Sequence, residues 1–298
     1  MSIIEDWVCH LQAAGKARRT VEVYQQAAES WTDYLDGGDP TEAGRKELEA
    51  WVAALASRPN RRRPGRKLSQ AYVSQHYRAV QQLYRWLHEV EKEIDENPFA
   101  RMSAPQVAEK PVDVLTEDQL KALLSVCEGT DFYQRRDMAM IRLFIDTGAR
   151  RAEIAKLRLE DVDLKLQTVR VVGKGGRVRI IPFGTKTAEA LRRYLRKRAR
   201  DPHAESPKLW LGKVGPLQPD SVRLMLKRRA KEAGVPNVHP HKFRHTFAHR
   251  WLADGNGEID LMRLCGWKSR RMLEIYGASA ADERARAAHR RAALGDRL

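Results

Sequence analysis

Apolar residues recur at three-to-four spacing along almost the whole of this chain, the pattern of amphipathic helices. One place departs from it. Residues 168–172 and 177–183 are short β-branched runs joined by Gly173-Lys174-Gly175-Gly176, a hairpin signature. The fold class predicted is mainly α with a small antiparallel β insert. Helices are expected at 4–13, 20–35, 41–56 and 69–90, with Thr20, Thr41 and Ser69 as N-caps. Asn97-Pro98-Phe99 stops the fourth, and three prolines spread over 98–111 with little apolar periodicity predict a linker at 98–113. Two domains follow, 1–97 and 114–298. The second opens on a capping box from Thr116 to Gln119. Its helices are expected at 135–146, 151–157, 185–200, 219–233, 240–254, 258–265 and 270–276. The Ala/Arg-rich tail 277–298 could be helical but has few large apolar side chains, so it frays or docks elsewhere.

The charge is unevenly spread. Residues 1–110 carry 16 Lys+Arg against 16 Asp+Glu, and 111–298 carry 39 against 23, which supplies the whole net charge of +16. A surplus confined to one half points to a polyanion, with double-stranded DNA the leading candidate, unless it reflects an arginine-rich proteome. In the balanced half, residues 58–67 hold six cations: Arg58, Arg61, Arg62, Arg63, Arg66 and Lys67. Two prolines and a glycine forbid a helix there and suggest a mobile basic loop, lying on phosphates or simply solvated. No apolar run approaches the roughly 20 residues of a membrane span, and the acidic, amphipathic N-terminus is no secretion signal. Cys9, Cys127 and Cys265 lie far apart, so they are expected to be reduced, buried and cytosolic.

Polar residues able to act on a phosphodiester are dispersed through 150–276. Arg150 follows a Thr-Gly break, and Glu153 lies three residues on, on the same helix face, where it could fix the guanidinium fork or form an ordinary surface salt bridge. Lys174, at the hairpin tip, is either solvated or lowered into a groove to protonate a leaving oxygen. His241 and Arg244 share one face of a helix that Pro240 opens, and helix N-termini favour anions. His241, His245 and His249 recur at i,i+4, which raises zinc, but no cysteine is near and Lys242 stands where a zinc protease needs Glu. The indole of Trp267 can donate one hydrogen bond or wall off a site, or simply fill a core. Tyr276, nine residues on, is one of eight tyrosines. A phenol needs cations and a base before it is a nucleophile.

Taken in order, TGARRAEIAKL, GKGGRVRIIP, HKFRHTFA and LCGWKS…EIYG resemble the boxes of the tyrosine recombinase, or phage integrase, family over about 115–276. The resemblance implies a helical, SAM-like core-binding domain before a catalytic domain. It implies Tyr276 as nucleophile forming a 3′-phosphotyrosine, Arg150 and Arg244 as the phosphate clamp, and Lys174 as the acid for the 5′-oxygen. It further implies His241 in acid/base work, Glu153 in support, and no cofactor. Trp267 stands where many members have histidine, which turns the expectation from a Xer-type dimer resolvase toward a phage or mobile-element integrase. The chain opens directly on the core-binding type of domain, so a compact integrase without an arm-binding domain is expected, working in the cytoplasm of a bacterial host. The family also implies a tetramer on paired sites, a tail that docks on a neighbouring subunit, and a directionality factor. The 58–67 loop and the basic second domain would then clamp a duplex, with 98–113 as hinge. A Xer-type chromosome or plasmid dimer resolvase, a type IB topoisomerase and a non-catalytic DNA-binding protein on the same fold remain the alternatives.

Overall fold

The computed structural model describes residues 2–61, 63–108, 113–173 and 175–297; at 275–280, 282, 283, 287, 294 and 297 it describes the backbone alone. The chain divides into two compact units, Met1–Lys110 and Pro111–Leu298.

The first unit is four helices, α1 (Ile3–Ala13), α2 (Arg18–Tyr34), α3 (Arg45–Ser57) and α4 (Gln70–Trp86), the last extended by a π turn that Lys92 ends in the left-handed region. Ser2 caps α1 and Ser69 caps α4. Thr20 does not cap: α2 starts two residues earlier, with Ala17 before it. Thr41 bonds Asp39 in a turn, and α3 starts only after Gly44. Trp7, Trp31, Trp51, Tyr77 and Tyr84 fill the core. The Trp31 indole donates to the Tyr84 hydroxyl, which donates to the Pro40 carbonyl, so two large polar rings are buried with partners. Phe99 joins this core against Tyr77, and Met102 and Ala104 pack on it, so 98–104, expected as linker, packs with the first unit.

The basic segment 58–67 is more ordered than its composition suggests. Leu68 N–H donates to Arg58 O and Asn60 N–H to Arg66 O, which closes the loop on itself, and Gly65 turns it at φ +77. Arg58, Arg61, Arg63, Arg66 and Lys67 are exposed; Arg62 lies outside the described residues.

The second unit is built around α6 (Phe132–Thr147), whose Met140, Ile141, Leu143 and Phe144 are wholly buried. α5 (Glu117–Ser125) opens with the expected Thr116–Gln119 capping box. α7 (Arg151–Lys156) leads into a three-stranded antiparallel sheet of β1 (Val162–Asp163), β2 (Thr168–Val172) and β3 (Val178–Pro182), in that order. Thr168 pairs with Pro182 and Val172 with Val178. Then come α8 (Thr185–Arg198), a hairpin of β4 (Leu211–Gly212) and β5 (Gly215–Pro216), α9 (Pro219–Glu232), α10 (Pro240–Ala253), α11 (Glu258–Cys265) and α12 (Arg271–Ala292).

Two buried ionic sites brace this unit. The carboxylate of Asp137, wholly buried, accepts from Arg136, Arg228 and Arg229, and Arg136 also donates to Leu211 O, so α6, α9 and the second hairpin are tied together. The Arg198 guanidinium donates to the carbonyls of Ala204, Ser206, Lys208 and Leu209, which shapes the loop into β4. The tail is no separate element: α12 runs on from the expected 270–276 to Ala292, and Arg284 reaches Glu258 of the same chain at 3.2 Å. Cys9 is exposed on α1, contrary to expectation, while Cys127 and Cys265 are buried; all three are free thiols. Among the described residues no helix is long and apolar enough to cross a membrane.

Candidate active site

The site is assembled where α6 and α11 end. Gly148 ends α6 in the left-handed region, φ +54, and Arg150 then stands extended before α7. Glu153, in the first turn of α7, folds back to accept the Arg150 backbone N–H at 2.7 Å and the Arg150 Nη1 at 3.0 Å. The i,i+3 pair read from the sequence is therefore formed, and it is no ordinary surface pair: the Glu153 side chain is only 3% exposed, against 37% for Arg150. Burial by itself would raise the Glu153 carboxyl, but hydrogen bonds from Arg179 and Arg150 outweigh it and hold it below the ordinary carboxylate range.

Arg179, on β3, is the residue the sequence reading missed. Its Nη1 donates to Glu153 Oε1 at 2.9 Å and its Nη2 to Oε2 at 2.7 Å, a bidentate fork, while its Nε donates to Leu264 O at 2.8 Å. The only sequence signal was an arginine inside a strand otherwise apolar.

Arg244, on α10, is 1% exposed. Its Nη1 donates to Gly148 O at 2.9 Å and its Nη2 to Cys265 O at 2.5 Å. The guanidinium lies 5.3 Å from the centroid of the Trp267 ring. Two arginines thus meet adjacent carbonyls at the C-terminal, electronegative end of α11, which Gly266 closes at φ +64. Trp267 follows at once and packs with Cys265 and Leu261. Among Arg150, Arg179, Arg244 and Glu153 three positive charges stand against one negative, so the cluster favours an anion.

His241 lies one turn before Arg244 and is open to solvent. Partial burial comes first, then the charges of Arg244, His239 and Arg150, in holding its imidazole below the ordinary 6.5, so at neutral pH it is an unprotonated base. His239, unassigned in the sequence, caps α10: its Nδ1 accepts from Lys242 N–H at 3.2 Å. His245 is pushed down to about 4, again first by burial, and its ring lies 6.4 Å from that of His241. Among the described residues no group of His, Cys, Asp and Glu is placed to hold a metal. The approach to α10 is latched: Lys242 Nζ donates to Asp113 at 2.7 Å and Leu115 N–H to Thr246 Oγ1 at 2.8 Å.

Two predicted residues fall outside this geometry. Lys174 lies outside the described residues; the turn about it is closed by Gly173 N–H donating to Arg177 O at 2.7 Å, with Gly175 and Gly176 at φ +75 and +74. The backbone of Tyr276 belongs to α12, and its side chain is not among those described.

Comparison with known proteins places the chain in a family. Residues 113–283, more than half the chain, match the phage integrase family, and residues 3–94 match the N-terminal SAM-like domain of phage integrases. The chain is 29% identical over 269 residues to tyrosine recombinase XerA of Saccharolobus solfataricus, covering 88% of this chain and 83% of that one. It is 33% identical over 218 residues to tyrosine recombinase XerC of Bacillus licheniformis, covering 70% of each. Its fold is shared by the Tn1549 transposon integrase in complex with transposon right end DNA, with a TM-score of 0.76 at 20% identity over 98% of this chain and 100% of that one. The chain belongs to the phage integrase family, that of the tyrosine recombinases.

Proposed function

We propose that the chain is a site-specific DNA recombinase that integrates phage or mobile-element DNA, cutting and rejoining through a 3′-phosphotyrosine on Tyr276. In the first step the Tyr276 oxygen attacks the scissile phosphorus and passes its proton to the neutral imidazole of His241. The guanidiniums of Arg150 and Arg244 meet the nonbridging oxygens and stabilise charge as it gathers in the transition state. Trp267 closes the far side of Arg244. The 5′-oxygen leaves with a proton from Lys174. The phosphotyrosine keeps the energy of the broken bond, so attack by a partner strand's 5′-hydroxyl rejoins DNA without ATP. The observation that carries this reading is the gathering of Arg150, Glu153, Arg244 and Trp267, far apart in sequence, around the ends of α6 and α11.

DNA enters this reading as the anion the cations await. The exposed face of α9 presents Arg223, Lys227 and Lys231, one turn apart, and the 58–67 loop presents five described cations. Assembly as a tetramer on paired sites, with the α12 tail as a contact between subunits, a directionality partner and a cytoplasmic setting, belong to the same proposal.

A second reading, a Xer-type resolvase of chromosome or plasmid dimers, is favoured by the names of the curated relatives. The test is recombination on supercoiled plasmids carrying pairs of sites drawn from the DNA around the gene, in nucleotide-free buffer. Exchange between two unlike sites supports an integrase, and exchange restricted to identical sites supports a resolvase. Relaxation without exchange overturns both in favour of a topoisomerase, and binding without cleavage favours a DNA-binding protein.

A further inference from the structure

Arg179 is held more closely than any role in the sheet requires. It sits on β3, mostly buried, with its fork on both oxygens of Glu153 and its Nε on the Leu264 carbonyl, next to the Cys265 carbonyl that holds Arg244. Gly173 and Gly266 flank it closely: a Cβ built on either would lie 3.4 Å from its Nη1.

We propose that Arg179 is a positioning residue for the DNA-cleavage step, acting through Glu153 to keep the Arg150 guanidinium available to the phosphate. The inference rests on the recombinase reading above. A carboxylate offers about four lone-pair sites. Arg179 occupies one on each oxygen of Glu153, and the Arg150 backbone N–H takes a second on Oε2. One site on Oε1 is left, and Arg150 Nη1 takes it. The Arg150 guanidinium is therefore bound to Glu153 through one nitrogen, and the rest of its fork, on a side chain 37% exposed, stays available. Without Arg179, a buried carboxylate would be short of donors. The nearest remedy is to turn and take Arg150 in a two-toothed pair, which withdraws that fork from DNA. A lysine at 179 cannot repair this, because one ammonium cannot span both oxygens and the Leu264 carbonyl in the same plane.

The test uses nicked duplexes of the cognate site, with either an ordinary scissile phosphate or a methylphosphonate there. In the latter a methyl group replaces one nonbridging oxygen and removes the negative charge, so guanidinium stabilisation matters far less. Rates of covalent adduct formation are compared for wild type, Arg179→Lys, Arg179→Ala, Arg150→Ala and the double variant Arg179→Ala/Glu153→Ala, which leaves no lone buried carboxylate if the single alanine fails to fold. On the phosphate we expect Arg179→Lys to slow cleavage by about 10²–10³-fold, like the loss of a transition-state donor, with DNA affinity unchanged. On the methylphosphonate, Arg179→Lys, the double variant and Arg150→Ala should come within about tenfold of wild type, the rescue that charge neutralisation permits. A folded Arg179 variant that is slow on both substrates, or as fast as wild type on the phosphate, overturns the proposal. Wild type that binds its site yet forms no adduct on either substrate overturns the recombinase reading and this inference with it, an outcome distinct from a defect confined to the variants.

Discussion

Gly148→Ala is the sharpest test of how the fold aims Arg244. Gly148 adopts φ +54, and a Cβ there would lie 2.6 Å from Cδ1 and 2.9 Å from Cγ of Phe247. The left-handed conformation costs an alanine about 1–2 kcal/mol, and forcing a methyl against a ring about 1–3 kcal/mol more. Partial relaxation gives an expected loss of about 2–4 kcal/mol in urea unfolding. The same residue's carbonyl accepts from Arg244 Nη1, so relaxation of the turn moves the guanidinium's anchor. A displacement approaching 1 Å should slow adduct formation by about 10²-fold even where the protein is fully folded. Phe247→Ala added to Gly148→Ala removes the two ring contacts but leaves the Cβ of residue 247 at 3.0 Å and the backbone strain, so the pair should show a coupling of about 1–2 kcal/mol in stability. A Gly148→Ala protein within about 0.5 kcal/mol of wild type and cleaving at the wild-type rate would refute the reasoning.

Other consequences are simpler to check. Replacing the exposed cations Arg58, Arg61, Arg63, Arg66 and Lys67 with glutamine should lower the slope of log affinity against log salt by about 0.9 for each DNA phosphate they neutralise; an unchanged slope removes the loop from the interface. The depressed imidazole of His241 is active as the neutral base, so cleavage should hold at neutral pH and fall on acidification with a midpoint below 6.5, and His241→Gln should lack that limb. His245 titrates near 4 in the fold and near 6.5 unfolded, so acid protonates the unfolded chain first. Stability should therefore fall between pH 6.5 and 4, by at most about 3 kcal/mol from this group, and His245→Asn should flatten the fall.

Much of this was legible from periodicity and a few punctuating residues. The apolar stripe of α6, the Thr116–Gln119 box, the Pro240 start of α10 and the glycine-turned hairpin are local signals, and local signals survive folding. What stayed hidden depends on partners distant in sequence. Arg179 lies within a strand and resembles an outward-facing residue, because nothing nearby says that Glu153 and Leu264 will surround it. The β4–β5 hairpin has almost no β-branched alternation; Arg136 donates to the Leu211 carbonyl and the Leu211 N–H donates to the Tyr194 hydroxyl, and these bonds hold it. His239 caps α10 in a place where serine, threonine or aspartate is the usual signal. The tail continues α12, since alanine and arginine favour helix even without a core to bury. Loop 58–67 looked mobile because composition does not report the hydrogen bonds that close it.

The most direct test of the central claim is to find which tyrosine carries the DNA. Wild type and Tyr276→Phe are incubated with nicked duplexes spanning the cognate site, denatured, and any covalent adduct is digested and its peptide identified. The account predicts an adduct with wild type on the peptide containing Tyr276, through a 3′-phosphate, and none with Tyr276→Phe despite unchanged DNA binding. An adduct that survives the substitution, or that maps to another tyrosine, contradicts it.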